Sequence, residues 1–186
     1  MDSPTTIIIA VVIVLVAIAA ALIFMRNRKT SQLQAKFGPE YSRTIGESGG
    51  RREAESLLHQ REKRVEAFDI KPISPADSDR YLATWKTVQA EFVDDPKAAL
   101  THADELVGEV MAARGYPVTD FEQRSADLSV DHPVVVQNYR AGHDIALKHE
   151  SGDASTEDLR QAMIHFRTLF DELVVEATPV PHRKAS

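Results

Sequence analysis

The sequence predicts an all-α chain: an N-terminal transmembrane helix followed by an irregular soluble bundle of five or six helices. Three observations predict it. Residues Ile7 to Met25 run for 19 positions without a charge, a proline or a glycine. Behind that run, Gly and Pro fall at intervals that separate segments of helix length. Within those segments apolar residues recur at three- and four-residue spacing, and no period-2 alternation of useful length competes with them.

The apolar run comes first. At about 1.5 Å per residue, 19 helical residues span close to 28 Å, near the hydrocarbon thickness of a bilayer. Thirteen of the 19 are Leu, Ile, Val or Phe. Many are β-branched, yet a lone strand in lipid cannot satisfy its backbone, so the segment is a helix. A cleaved signal peptide is the competing reading, since Ala17, Ala19, Ala20 and Ala21 offer small residues to a peptidase. The flanks favour an uncleaved anchor: Asp2 is the only charge before the run, and Arg26, Arg28 and Lys29 follow it as a stop-transfer pattern. The positive-inside tendency then puts the short N-terminus outside and the domain in the cytoplasm.

Residues 1–29 form the anchor and its basic flank, and residues 30–50 read as a juxtamembrane linker, though the membrane helix can run on to Phe37. Gly38-Pro39 is the first break, and a short segment from Glu40 to Ile45 ends at Gly46 and Gly49-Gly50. The helical domain is placed at 51–176. Its first segment, Arg51 to Phe68, is highly charged and carries Ala54, Leu58, Val65 and Phe68 on one stripe, interrupted by Arg61 at a core position. Ser74 caps a helix with Pro75 at its first position and Tyr81, Leu82, Trp85, Val88 and Phe92 on one face. Asp95-Pro96 repeats the device for a helix bearing Leu100, Ala103, Val107, Val110 and Arg114, which Gly115-Tyr116-Pro117 stops.

A shorter segment, Asp120 to Leu128, turns Phe121 and Leu128 inward. His132-Pro133 opens the next helix, with Val135, Tyr139, Gly142 and Ile145 on one side. Ser155-Thr156-Glu157-Asp158 resembles a capping box with Asp in the place of the commoner Glu. It starts a last helix whose apolar face is Leu159, Ala162, Met163, Phe166, Phe170 and Leu173. The tail, 177–186, reads as disordered.

Composition excludes several functions. With no cysteine among 186 residues there is no disulfide scaffold, thiol nucleophile or cysteine-ligated metal. Residues 1–29 carry a net charge of +2 and the remainder −8, a balance opposed to nucleic-acid binding. Three basic residues behind the anchor fall below the cluster size for anionic-lipid recognition and read as a topology signal.

No catalytic motif is assembled. His102 and Glu105 share a helix face at i and i+3, but nothing local supplies a third ligand. His143-Asp144 and His149-Glu150 lie on one helix with the two histidines on different faces, unlike the zinc metalloprotease arrangement. Asp131-His132 serves helix initiation, His165 lies on a helix flank, and Gly49-Gly50 before Arg51-Arg52 is a hinge rather than a phosphate loop. No residue is assigned to catalysis, to a cofactor or to a metal.

Partner binding is the best remaining reading. The Arg51–Phe68 helix has alternating charges and a narrow apolar stripe, the pattern of a two-helix seam. It nominates Arg51, Arg52, Leu58, Arg61, Arg64 and Val65 as partner-facing. The competing reading packs that stripe on the rest of the domain.

Three strings carry a resemblance: FGPEYSRT at Phe37–Thr44, DFEQRSADLSVDHP at Asp120–Pro133 and STEDLRQAMIHFRTLFDEL at Ser155–Leu173. Together they resemble a set of uncharacterised bacterial single-pass membrane proteins, over most of residues 33–174. The resemblance implies a bacterial origin and the same anchor-plus-helical-domain layout, and the expected location is the bacterial inner membrane. It brings no activity, cofactor or site residue.

Function is therefore expected to be that of a membrane-anchored interaction or adaptor module, embedded in the bilayer through Ile7 to Met25, with a protein partner or a second copy of itself. A second class is a membrane-tethered enzyme or metal-binding domain, with His102, Glu105, His143 and Asp144 converging from two helices. A third is a structural protein whose domain faces outside.

Overall fold

A computed structural model describes residues 3–175, with side chains for residues 8–149 and 151–175. The expected tail at 177–186 lies outside the described residues. Eight helices and no strand make up the described chain: α1 (Ser3–Phe37), α2 (Pro39–Glu47), α3 (Arg51–Val65), α4 (Pro75–Glu91), α5 (Pro96–Arg114), α6 (Phe121–Asp131), α7 (Val135–Glu150) and α8 (Thr156–Val175). The protein is all-α, with six helices after residue 50.

The caps follow the local chemistry. Ser74 Oγ accepts from the Asp77 amide, Asp95 Oδ1 from Ala98 and Asp120 Oδ1 from Gln123. Each satisfies a donor that the first helical turn leaves without a partner. The box at α8 closes reciprocally: the Asp158 amide donates to Ser155 Oγ at 3.2 Å and the Ser155 amide to Asp158 Oδ2 at 2.8 Å. α5 ends at Gly115, whose φ of 99° is left-handed, and a Cβ there would collide with the Asp69 carbonyl.

Some boundaries differ from the expectation. α6 continues to Asp131, and His132 is its C-cap; α7 starts at Val135 with no side-chain cap. His132 therefore ends one helix rather than opening the next. α3 stops at Val65, and Phe68 packs from the turn that follows.

Two apolar cores organise the helices. The larger joins α4, α5, α7 and α8 around Trp85, Val107, Met111, Tyr139, Phe166 and Phe170. There the Trp85 and Phe170 rings stack with centroids 4.7 Å apart. Arg114, aligned with an apolar side in the sequence, is indeed buried and donates to the Leu173 carbonyl at 3.0 Å. The smaller core holds Leu33, Phe37, Tyr41, Leu58, Val65 and Val130 from α1, α2, α3 and α6. α6 serves both, giving Leu128 to one and Val130 to the other.

α1 is one continuous helix with two environments. Its segment from Ile8 is long and apolar enough to cross a membrane, with a mean hydropathy of 3.4. Residues 8–29 are all exposed, whereas Leu33 and Phe37 are buried in the smaller core. Residues 30–50 are thus part of the folded unit rather than a linker, because Leu33, Phe37 and Tyr41 supply apolar area that α3 and α6 need to bury.

At Gly38 the backbone takes φ 48° and ψ −123°, a conformation that favours glycine, and the chain reverses into α2. A second reversal at Gly49-Gly50 sends α3 back alongside α1. Thr30 Oγ1 donates to Glu55 at 2.8 Å and Lys36 Nζ lies 2.9 Å from Glu62. Both numbers rise together, so α1 and α3 run parallel. With the same rise of about 1.5 Å per residue in each, Arg51 lies level with Arg26.

Candidate functional site

The least expected chemistry is a buried ionic seam between the two cores. Glu40 opens α2 directly after Pro39 and has no solvent exposure. Its Oε1 accepts from Arg61 Nη1 at 3.0 Å and from Arg140 Nη2 at 2.7 Å. One carboxylate thereby joins α2, α3 and α7. Arg61 also donates to Ser129 Oγ on α6 at 3.3 Å. Beside it, Arg64 Nε donates to Asp127 of α6 at 3.0 Å, and Gln123 Nε2 donates to the same carboxylate at 2.8 Å.

Asp127 is buried, and that desolvation raises its pKa from the ordinary value against the opposing pull of Gln123 and Arg64. A charge removed from water is tolerated only with partners of this kind. The seam acts as a joint between helices: Glu40 Oε1 and the Asp127 carboxylate are engaged by guanidinium or amide donors.

This arrangement corrects the partner-facing assignment on α3. Leu58 and Val65 are completely buried in the smaller core, and Arg61 and Arg64 reach inward to Glu40 and Asp127. Of the six, Arg51 and Arg52 are exposed without an ion pair, whereas Arg64, also exposed along part of its length, is held by Asp127. The narrow apolar stripe is real, but its partner is α1, α2 and α6 of the same chain.

The sequence missed Glu40, Asp127 and Arg140. One signal pointed to them, the charge of Arg61 at a core position, which demands an opposite charge from another element.

The histidines do not converge as expected. An open groove of about 770 Å³ between α4 and α5 is lined by Glu91, Asp94, His102, Glu105 and Glu109 among others. In it His102 Nδ1 lies 2.7 Å from Glu91 Oε2, and that hydrogen bond raises the imidazole pKa above its usual value. His143 instead lines a cavity of about 250 Å³ with Asp104, Glu105, His149 and Lys97. Its ring stacks on Phe121 with centroids 3.5 Å apart.

Glu105 borders both spaces, His102 only the first, and Asp144 is exposed and lines neither. The four are distributed because α5 presents His102 toward α4, whereas His143 faces the separate space between α5 and α7. Among the described residues no three His, Asp or Glu side chains are placed to hold a metal ion.

A third recess, about 300 Å³ between α4 and α8, is lined by Trp85, Phe92, Met163 and Ile164, with Arg167 over the Trp85 ring. No family model, curated protein or solved structure matches this chain. The functional reading therefore rests on the geometry alone.

The membrane-flanking residues Arg26, Arg28 and Lys29 are exposed on α1, immediately after its apolar segment.

Proposed function

We propose that the protein is a single-pass protein of a bacterial inner membrane whose helical domain works in the cytoplasm as an interaction or adaptor module. One observation carries the reading: the helix that is apolar and exposed from Ile8 to Met25 continues unbroken into the domain, where Leu33 and Phe37 are core residues. A tether of this kind holds the domain at one height and orientation against the bilayer. A flexible linker would let it roam.

The basic residues on the domain side of the apolar run support the cytoplasmic orientation. The His102–Glu91 pair lies on an open groove between α4 and α5 with no nucleophile or metal set beside it among the described residues, which favours recognition over catalysis. The partner is a protein, either of another kind or a second copy of this chain.

The test is a crosslinked pull-down of the full-length protein from its own membranes, after alkaline extraction and a topology reporter on the C-terminus. Retention in alkali, a cytoplasmic reporter and one partner recovered near stoichiometry support the reading. Release by alkali refutes the anchor, a reporter active outside refutes the orientation, and recovery of the chain alone replaces the adaptor with self-assembly.

A further inference from the structure

Arginine usage across the described residues divides sharply. Arg43, Arg61, Arg64, Arg80, Arg124, Arg140, Arg160 and Arg167 each sit at a carboxylate, and Arg114 holds a backbone carbonyl. Four others, Arg26, Arg28, Arg51 and Arg52, are exposed and form no ion pair with a described residue. These four come from two separate helices, and the parallel packing of α1 and α3 puts them at one level. Lys29 stands with them.

The carboxylates nearest that level are engaged. Glu47 pairs with Arg43, Glu53 accepts from the Gly49 amide, and Glu55 accepts from Thr30 and Tyr41. The donors to Glu53 and Glu55 are neutral, so these two carboxylates offset part of the charge, and the five cations leave an excess of positive charge at one end of an otherwise acidic domain.

That end is where the bilayer surface lies if Met25 closes the hydrocarbon span. Arg26 to Thr30 cover about 7 Å of helix, the depth of a headgroup layer. We propose that Arg26, Arg28, Lys29, Arg51 and Arg52 form one composite collar that binds anionic phospholipid headgroups and seats the domain on the membrane. Three basic residues fall short of a lipid-recognition cluster, whereas five fall within its range. Arg51 and Arg52 are the additions that only the fold supplies. The proposal rests on the membrane-anchor reading and adds the lipid class to it.

The experiment uses the full-length chain reconstituted in phosphatidylcholine vesicles with and without phosphatidylglycerol. Because the chain has no cysteine, Ser56→Cys gives one site for a fluorophore one turn beyond Arg52. Brominated phosphatidylglycerol should quench it more strongly than brominated phosphatidylcholine in the same mixed bilayer. Arg51→Gln with Arg52→Gln should reduce that preference by about fivefold for each cation removed, with helicity unchanged.

Salt of about 1 M, where the Debye length is about 3 Å, should do the same without any substitution. Equal quenching by the two lipids overturns the proposal, and so does a preference that survives both the double substitution and the salt. Flotation after an alkaline wash is scored on the same samples. Failure to float with either vesicle refutes the anchor, whereas flotation without lipid preference refutes only the collar.

Discussion

Removal of the Glu40 carboxylate is the perturbation for which the structure gives the clearest magnitude. Glu40 is fully buried, and the Arg140 side chain that donates to it at 2.7 Å is only 6% exposed. In Glu40→Ala, Arg140 keeps only Glu122 at 3.9 Å, a carboxylate 80% exposed and largely screened. Arg61 is better placed, since it retains Ser129 and is 18% exposed. Breaking a buried pair costs about 3–5 kcal/mol, and the partial rescue of Arg61 places this substitution near 3 kcal/mol.

Glu40→Gln keeps an acceptor oxygen without the charge and should cost about 1–2 kcal/mol. Replacing Glu40, Arg61 and Arg140 together by Met should recover most of the loss, because no charge is then left buried. The assay is denaturant unfolding of the full-length protein in detergent. The single tryptophan, buried Trp85, reports the larger core, and amide exchange in α2 and α3 reports the smaller. A Glu40→Ala loss below about 1 kcal/mol by both readouts would refute the claim that the seam holds the two cores together.

Gly142→Ala should destabilise, because the new Cβ meets Phe166 ring carbons at 3.0 and 3.2 Å. Overpacking of about 1–3 kcal/mol outweighs a helix-propensity gain of about 1 kcal/mol, and a thermal melt that rises would contradict this packing of α7 on α8. His102 should titrate above the ordinary histidine value in an NMR pH series, and Glu91→Gln should bring it down. Its stabilising contribution is complete below the unfolded-state pKa and is lost as pH rises through the folded one. Ser155→Ala should cost about 1 kcal/mol and speed amide exchange in the first turn of α8. Acid should act on the same turn: Ser155 lowers the Asp158 pKa, and Arg160 lowers that of Glu157 to about 2. Their support is present above the usual carboxylate range and fades as pH falls through the lowered values, so exchange in that turn should quicken only in strong acid.

Local signals determined much of this protein. The apolar run, the Ser74, Asp95, Asp120 and Ser155 caps and the glycine at 115 are written within a few neighbouring residues, since capping and helix termination are interactions of short sequence separation. The all-α class, the six helices after residue 50 and the core faces of α4, α5 and α8 follow from the same local rules. The boundary at His132 differs from the expectation because a histidine before proline suits a helix end as well as a start, and Phe68 keeps the apolar spacing of α3 while lying in the turn that follows it.

Tertiary structure decided what the faces are for. The α3 stripe fits a partner helix or its own chain equally well by periodicity, and only the return of the chain at Gly38 and Gly50 brings Leu58 and Val65 onto Phe37 and Tyr41. Glu40 and Arg140 are 100 residues apart, so no local pattern links them. The same reversals carry Arg51 and Arg52 back to the level of Arg26. Ion pairing and surface charge depend on distance in space, and over such separations the sequence leaves that distance open until the helices pack.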